Sequence, residues 1–317
     1  MLETVFYLVL NMSIASSFVI VALLLIRQIR PLPRRVVYPL WTLAFFRLVM
    51  PFTLPTQWSL FNFTGSLVKR LVTIETVTQG LAPVPESSIL ASMNIVGAVE
   101  QYAPIEYKTE TLRQVFTTAS AIWAIVAAAM LLTAIILYML TRTELKKAVH
   151  IKANLYRSDM LFSPVLVGLL RPKIILPASL DPDSTEFRMI LAHENTHRRR
   201  LDNLWRLLGI CIACLHWFNP FVWIMLKAFL VDMEQSCDEV VIHSYTEEDR
   251  RAYAGTLLRF AEDKRLLVST AFGGSGIKVR IVNVLNYRKL TLLGAVASSI
   301  FLMVVVIVLI TNPQWQG

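Results

Sequence analysis

Apolar residues in this chain come in long unbroken blocks. Thr4–Ile26, Val115–Leu140 and Leu290–Ile310 carry no formal charge. Each reaches the roughly 20 residues that a helix needs to cross a bilayer, so each predicts a span. Val36–Pro55 predicts a fourth, interrupted by Arg47. An arginine at that depth reads as a structural contact with a carbonyl or a polar helix neighbour. Thr4–Ile26 lacks the basic leader and small-residue cleavage site of a removable signal, so it reads as a retained span. A fifth block, Leu207–Leu226, contains Asn219-Pro220. Proline removes a helical donor and clashes with the preceding turn, which splits this block in two.

Between Arg142 and Lys289 the pattern changes. Leu161–Gly168 and Lys173–Pro177 are short branched runs around a Gly/Pro-containing turn, which predicts a β-hairpin. The edge of such a hairpin suits an extended peptide added as a further strand. Asp181-Pro182-Asp183-Ser184 predicts a helix start, with acids placed for the N-terminal dipole. That helix carries Phe187 through His197, and Arg198, Arg199 and Arg200 after it read as lipid-headgroup contacts at the inner interface. Arg142–Lys152 and Thr246–Leu267 read as helical, and Ser269–Gly276 as a flexible linker.

Composition agrees with a membrane protein. The 317 residues are 55% hydrophobic, and the mean hydropathy of +0.56 is high for a soluble domain. Charge sets the orientation. The loop after the first span carries Arg27, Arg30, Arg34 and Arg35 and no acid, which faces it to the cytoplasm. Thr56–Gln114 is then external, with four bases against five acids. Arg142–Lys289 has 22 bases against 16 acids, net +6, and belongs to the cytoplasmic side. The overall +9 therefore reflects topology and does not imply direct nucleic-acid binding. Cys211, Cys214 and Cys237, an odd set on that side, give no disulfide framework.

The chemistry lies in His193-Glu194-Asn195-Thr196-His197. On a helix, residues four apart share a face, so the two histidines can share one zinc ion. Glu194 is placed to take a proton from an attacking water. A hydrolytic zinc needs three protein ligands and one open position. Glu234 and Asp238, again four apart, suit a carboxylate ligand and a carboxylate that fixes a ligand imidazole. A full crossing by Leu207–Leu226 would put His197 and Glu234 about 30 Å apart, which one ion forbids. Leu204–Phe218 and Pro220–Glu234 are instead expected as equal arms of a hairpin dipping into the inner leaflet.

The sequence resembles the BlaR/MecR-type membrane metallopeptidases, the antirepressor class that includes β-lactam sensor-transducers. The resemblance rests on His193–His197 with Arg199 and Asp202, Leu204-Trp205, His216-Trp217-Phe218-Asn219-Pro220, Trp223, and Glu234 with Cys237-Asp238-Glu239. It implies a cytoplasm-facing zinc endopeptidase with His193, His197 and Glu234 as ligands, Glu194 as base and Asp238 in support. It also implies that signalling members cleave themselves and cause loss of a DNA-binding repressor. His216 and His243 are the candidates for an oxyanion or substrate contact, and each also reads as a buried structural histidine. Seven residues follow Ile310, too few for the penicillin-binding domain of the sensor-transducers. The signal is thus expected through the external loop or a separate sensor protein.

The expected architecture is a mainly α integral membrane protein of a bacterial cell membrane. It has four transmembrane helices, an HExxH (gluzincin-like) α+β peptidase domain and the dipping hairpin. Residues 1–141 form the membrane region, 142–289 the peptidase domain, and 290–317 the fourth span and tail. Its expected partners are membrane lipid, a peptide or protein substrate, and a cytoplasmic repressor. The alternatives are a housekeeping membrane zinc protease and a non-catalytic membrane regulator.

Overall fold

The computed structural model describes residues 1–29, 32–50, 54–56, 110–144, 148–262, 276–289 and 291–313. Residues 57–109 of the expected external loop and 269–275 of the expected linker lie outside these. The described chain is mainly helical with a small sheet. Helices α1 (Leu2–Ile26), α2 (Arg34–Val49) and α3 (Glu110–Glu144) come first, with β1 (Leu54–Thr56) between the second and third. Strands β2 (Val149–Lys152), β3 (Leu155–Ser158), β4 (Val165–Val167) and β5 (Lys173–Pro177) follow. Then come α4 (Thr185–Arg200), α5 (Asp202–Leu215), α6 (Pro220–Val241), α7 (Glu247–Glu262), α8 (Gly276–Leu285), α9 (Leu292–Ile310) and β6 (Thr311–Pro313).

Among the described residues, Leu2–Ile26 and Arg113–Thr143 are long and apolar enough to cross a membrane. The second leaves Ile125, Leu132 and Ile135 more than half exposed, a surface that water would penalise. Helix α2 has only 16 residues. At 1.5 Å per residue it is about 24 Å long, short of the roughly 30 Å hydrocarbon core. In α9 the apolar stretch is Val296–Leu309, also short. Length and hydropathy therefore support two of the four expected spans.

The sheet order is β2-β3-β5-β4, with β3 and β5 parallel and the other pairs antiparallel. The expected hairpin is the β4–β5 pair, with Val165 opposite Ile175. Gly168 ends β4 at φ +102, and a Cβ there would lie 3.3 Å from the Arg171 carbonyl oxygen, so the turn requires glycine. Val149–Lys152 is a strand paired with β3, where a helix was expected. Val149 and Ile151 are β-branched, and cross-strand pairing outweighs the helical reading of this basic segment.

The main core joins α1, α2 and α9 to the α5–α6 pair. Ile20 and Leu23 of α1, Trp41 and Phe45 of α2, Ile212 of α5, Met225 and Phe229 of α6, and Leu309 of α9 are all buried in it. Buried polar contacts fix its register. Asp232, fully buried, accepts from Arg27 Nε at 2.9 Å and from Trp41 Nε1 at 3.0 Å. Glu239 accepts the backbone N–H groups of Arg34 and Arg35 at 2.8 and 3.0 Å. A carboxylate from α6 thus satisfies two orphan donors at the start of α2.

Helix α5 ends at Leu215 and α6 begins at Pro220, so the apolar block breaks at Asn219-Pro220 as expected. Neighbouring helices satisfy part of the turn, while His216 Nδ1 and Trp217 Nε1 stay buried without hydrogen-bond partners among the described residues. Trp123 Nε1 donates to the Leu215 carbonyl at 2.8 Å, and Asn219 Nδ2 donates to Ser13 Oγ at 2.8 Å and Ser17 Oγ at 2.9 Å. Asn219 Oδ1 also accepts from Phe221 N and caps α6. Asn219→Ala removes a cap and a buried donor together. It is expected to lower the stability of the detergent-solubilised chain by about 2 kcal/mol, read by thermal unfolding.

Candidate metal centre

Helix α4 starts where the acidic cluster predicts. Ser184 is its N-cap and accepts from Phe187 N at 3.1 Å. Thirteen residues further along it, His197 shares a buried face with His193. The helix stops at Leu201, which adopts the left-handed region at φ 55. That conformation is costly for leucine. It turns the chain sharply enough for Asp202, the first residue of α5, to reach back to His197.

His193 Nε2 and His197 Nε2 lie 3.1 Å apart. Glu234 Oε2 is 3.6 Å from each. The opposite nitrogens are engaged elsewhere. His197 Nδ1 lies 2.6 Å from Asp202 Oδ2. His193 Nδ1 lies 2.9 Å from the Tyr253 hydroxyl and 3.3 Å from Asp238 Oδ1. With both Nδ1 atoms held by carboxylate-side partners, both Nε2 atoms face the same point as the Glu234 oxygen, where Arg280 Nη2 also lies 3.4 Å from His193 Nε2. Donors on a tetrahedral zinc, at about 2.0–2.1 Å from the ion, are separated by about 3.3 Å. The observed triangle brackets that edge, so these residues fit a divalent ion.

A second set of donors shares the two histidines. Cys237 Sγ lies within 4.8 Å of both ring donor atoms. Glu234 Oε2 is 3.6 Å from each ring nitrogen, while Cys237 Sγ reaches both rings and also the His193 carbonyl oxygen at 3.4 Å, so either side chain can complete the set. Charge favours a cation here. Burial works against a proton on either imidazole. Even so, Cys237 and the surrounding carboxylates hold both rings well above their usual pKa. Burial likewise opposes ionisation of Glu234, but His197 and Arg280 hold it well below the carboxylate range.

A further layer fixes the ligands. Arg280 of α8 forks onto Asp238, Nε to Oδ2 at 2.7 Å and Nη2 to Oδ1 at 2.8 Å. Its Nη1 lies 3.2 Å from Glu234 Oε2, and Arg206 Nη2 lies 3.4 Å from Glu234 Oε1. Two guanidinium groups thus orient the two oxygens of one carboxylate. Tyr253 of α7 donates to Asp238 Oδ1 at 2.8 Å. Burial raises the cost of charging Asp238, yet Arg280 holds its pKa at about 2.

Of the residues singled out by sequence, His193, His197, Glu234 and Asp238 come together. Glu194 follows His193 on α4 and is half-buried. The other two histidines lie elsewhere. His216 Nε2 donates to the Leu48 carbonyl oxygen at 3.1 Å in the hairpin turn. His243, exposed in the 3-10 turn Ile242–Ser244 that follows α6, has Nδ1 2.9 Å from the Tyr287 hydroxyl. Neither makes a described contact with the three ligand atoms. Arg200, expected among lipid headgroups, instead pairs with Asp202 at 3.3 Å and lies 4.3 Å over the Tyr38 ring. At the β4 edge, Asn203 Nδ2 donates to the Leu166 and Gly168 carbonyls at 2.8 and 3.1 Å. Two carbonyls that strand addition would use are already taken.

Asp202 appeared in the motif without a role; its place five residues after His197 was the available signal. Cys237 also stood in the motif, three residues after Glu234. Tyr253 and Arg280 carried no signal, since no spacing rule links them to His193.

A family model described as BlaR1 peptidase M56 matches residues 7–284. The chain belongs to that family. It is 34% identical over 173 residues to the Regulatory protein BlaR1 of Bacillus licheniformis, covering 52% of this chain and 29% of that protein. It is 25% identical over 104 residues to the Methicillin resistance mecR1 protein of Staphylococcus aureus, covering 32% of this chain and 18% of that one. The chain therefore spans less than a third of the length of these relatives.

The folded pKa of Asp238 lies below its ordinary 3.8. Its contribution to stability is therefore full above pH about 4 and is lost as pH falls toward about 2. Asp238→Asn leaves Arg280 buried without its bidentate partner. The variant is expected to lose about 3 kcal/mol at neutral pH and to show a flatter stability profile in that acid window. Unfolding followed from pH 7 to 2 checks both.

Proposed function

We propose that this chain is a membrane-embedded zinc endopeptidase working at the cytoplasmic face. The convergence of His193 Nε2, His197 Nε2 and Glu234 Oε2 within 3.1–3.6 Å of one another carries this reading. Zinc bound there acidifies water and polarises a peptide carbonyl. The rest is done by side chains of this chain. His193, His197 and Glu234 hold the ion. Asp202 and Asp238 keep each imidazole in the tautomer that presents Nε2. Glu194 accepts the proton of the attacking water at its carboxylate and passes it to the leaving amine nitrogen.

The α5–α6 hairpin dips into the inner leaflet in this reading. Phe221 and Ile224 point apolar side chains outward, at 39% and 49% exposure. Trp123, Ser13 and Ser17 meet the Leu215 carbonyl and the Asn219 amide with protein groups, which suits a medium that offers no water. Residues 142–289 act as the peptidase unit between membrane regions 1–141 and 290–317, with four crossings in all.

The circuit we infer is that of an antirepressor. The names of the relatives, a regulatory protein and a resistance protein, support it. The chain would cleave itself, a cytoplasmic DNA-binding repressor, or both, when a signal arrives from outside or from a separate sensor protein.

Glu194→Gln tests the chemistry without removing a ligand. The variant, made in the full chain in membranes, is expected to keep its zinc. It should lose about 10²–10⁴-fold in proteolysis, read as fragments of the chain and of a co-expressed repressor. Fragment patterns identical to wild type would remove the protease claim.

A further inference from the structure

Asp202 lies between the candidate metal centre and the membrane region. It is 1% exposed, and three donors reach it. His197 Nδ1 lies 2.6 Å from Oδ2, Arg200 Nε 3.3 Å from Oδ1, and the Tyr38 hydroxyl donates to Oδ1 at 3.0 Å. His197 and Arg200 both belong to α4. Of the three, only Tyr38 comes from outside the α4–α5 segment, 164 residues away along the chain.

Tyr38 is itself held by two ring contacts. The Arg200 guanidinium lies 4.3 Å over its ring. The ring also stacks on Phe229 of α6, with centroids 5.5 Å apart and planes 18° apart. Its hydroxyl is therefore presented to Asp202 from a fixed point. A carboxylate turns easily about its last bond. A donor anchored on another helix fixes its plane, and that plane sets the direction of the imidazole it holds.

We propose that Tyr38 is a positioning residue for His197, acting through Asp202, so that α2 sets the direction in which this ligand presents Nε2. The proposal rests on the metal-centre reading above. Tyr38→Phe removes one oxygen atom while keeping the stack on Phe229 and the contact with Arg200. Direct partners of metal-ligating histidines, here Asp202, are worth about 10–100-fold in metal affinity, and Tyr38 acts through that partner, so the low end of the range is expected.

The test uses the full chain in lipid nanodiscs. Zinc affinity is measured by competition with chelators of graded strength, and cobalt is substituted to read the visible spectrum of the centre. Ser13→Ala serves as the comparison. It removes a hydroxyl that holds Asn219 at 2.8 Å, in the hairpin turn rather than at the metal centre. The expected result is zinc affinity about tenfold weaker in Tyr38→Phe, with shifted cobalt bands. Ser13→Ala should change the melting temperature alone. Wild-type affinity in Tyr38→Phe would overturn the proposal, as would an equal loss in both variants. A wild-type chain that binds no metal would fail earlier and overturn the metal-centre reading itself.

Discussion

Two imidazole nitrogens and one carboxylate oxygen meet within 3.6 Å, and the rest of the structure serves that meeting. Positive charge is what lets them meet: Arg280 already reaches Glu234 Oε2 at 3.2 Å and His193 Nε2 at 3.4 Å, and a divalent ion would serve all three at once. The chain must therefore do two things. It must bring α6 back beside α4, and it must hold the far side of each ring. The first is met by the break at Asn219-Pro220, which folds an apolar block into two arms. The second is met by Asp202 on His197 and by Asp238 with Tyr253 on His193.

These supports come from separate parts of the chain. Tyr38 of α2 reaches Asp202, and Arg280 of α8 reaches both Asp238 and Glu234. Asp232 and Glu239 flank the site along α6 and tie it to Arg27, Trp41 and the start of α2. A displacement of α6 against α2 would strain contacts on both sides of Glu234. Packing and polar contacts in this layer thus carry the geometry of the site as well as the stability of the fold.

Much of this was legible in the sequence, and the reasons are local. His193 with His197, and Glu234 with Asp238, stand four apart, which fixes a shared helical face without tertiary information. Ser184 announces the start of α4, and Asn219-Pro220 breaks the apolar block where α5 gives way to α6. What was not legible depends on contacts across the chain. Nothing near Arg280 or Tyr253 points to residue 193. Val149–Lys152 is basic enough to look helical until β3 is there to pair with it. Arg200 looks like a headgroup contact until Tyr38 and Asp202 are beside it. Cys237 stood in the motif with no role, and only the fold puts its sulfur near both rings.

That sulfur also defines the sharpest test. X-ray absorption at the zinc edge of the purified full chain reads the atoms bound to the metal directly. Ligation by His193, His197 and Glu234 predicts a first shell of nitrogen and oxygen at about 2.0–2.1 Å with the outer-shell pattern of two imidazoles. A sulfur scatterer at about 2.3 Å would replace Glu234 by Cys237 and contradict the account.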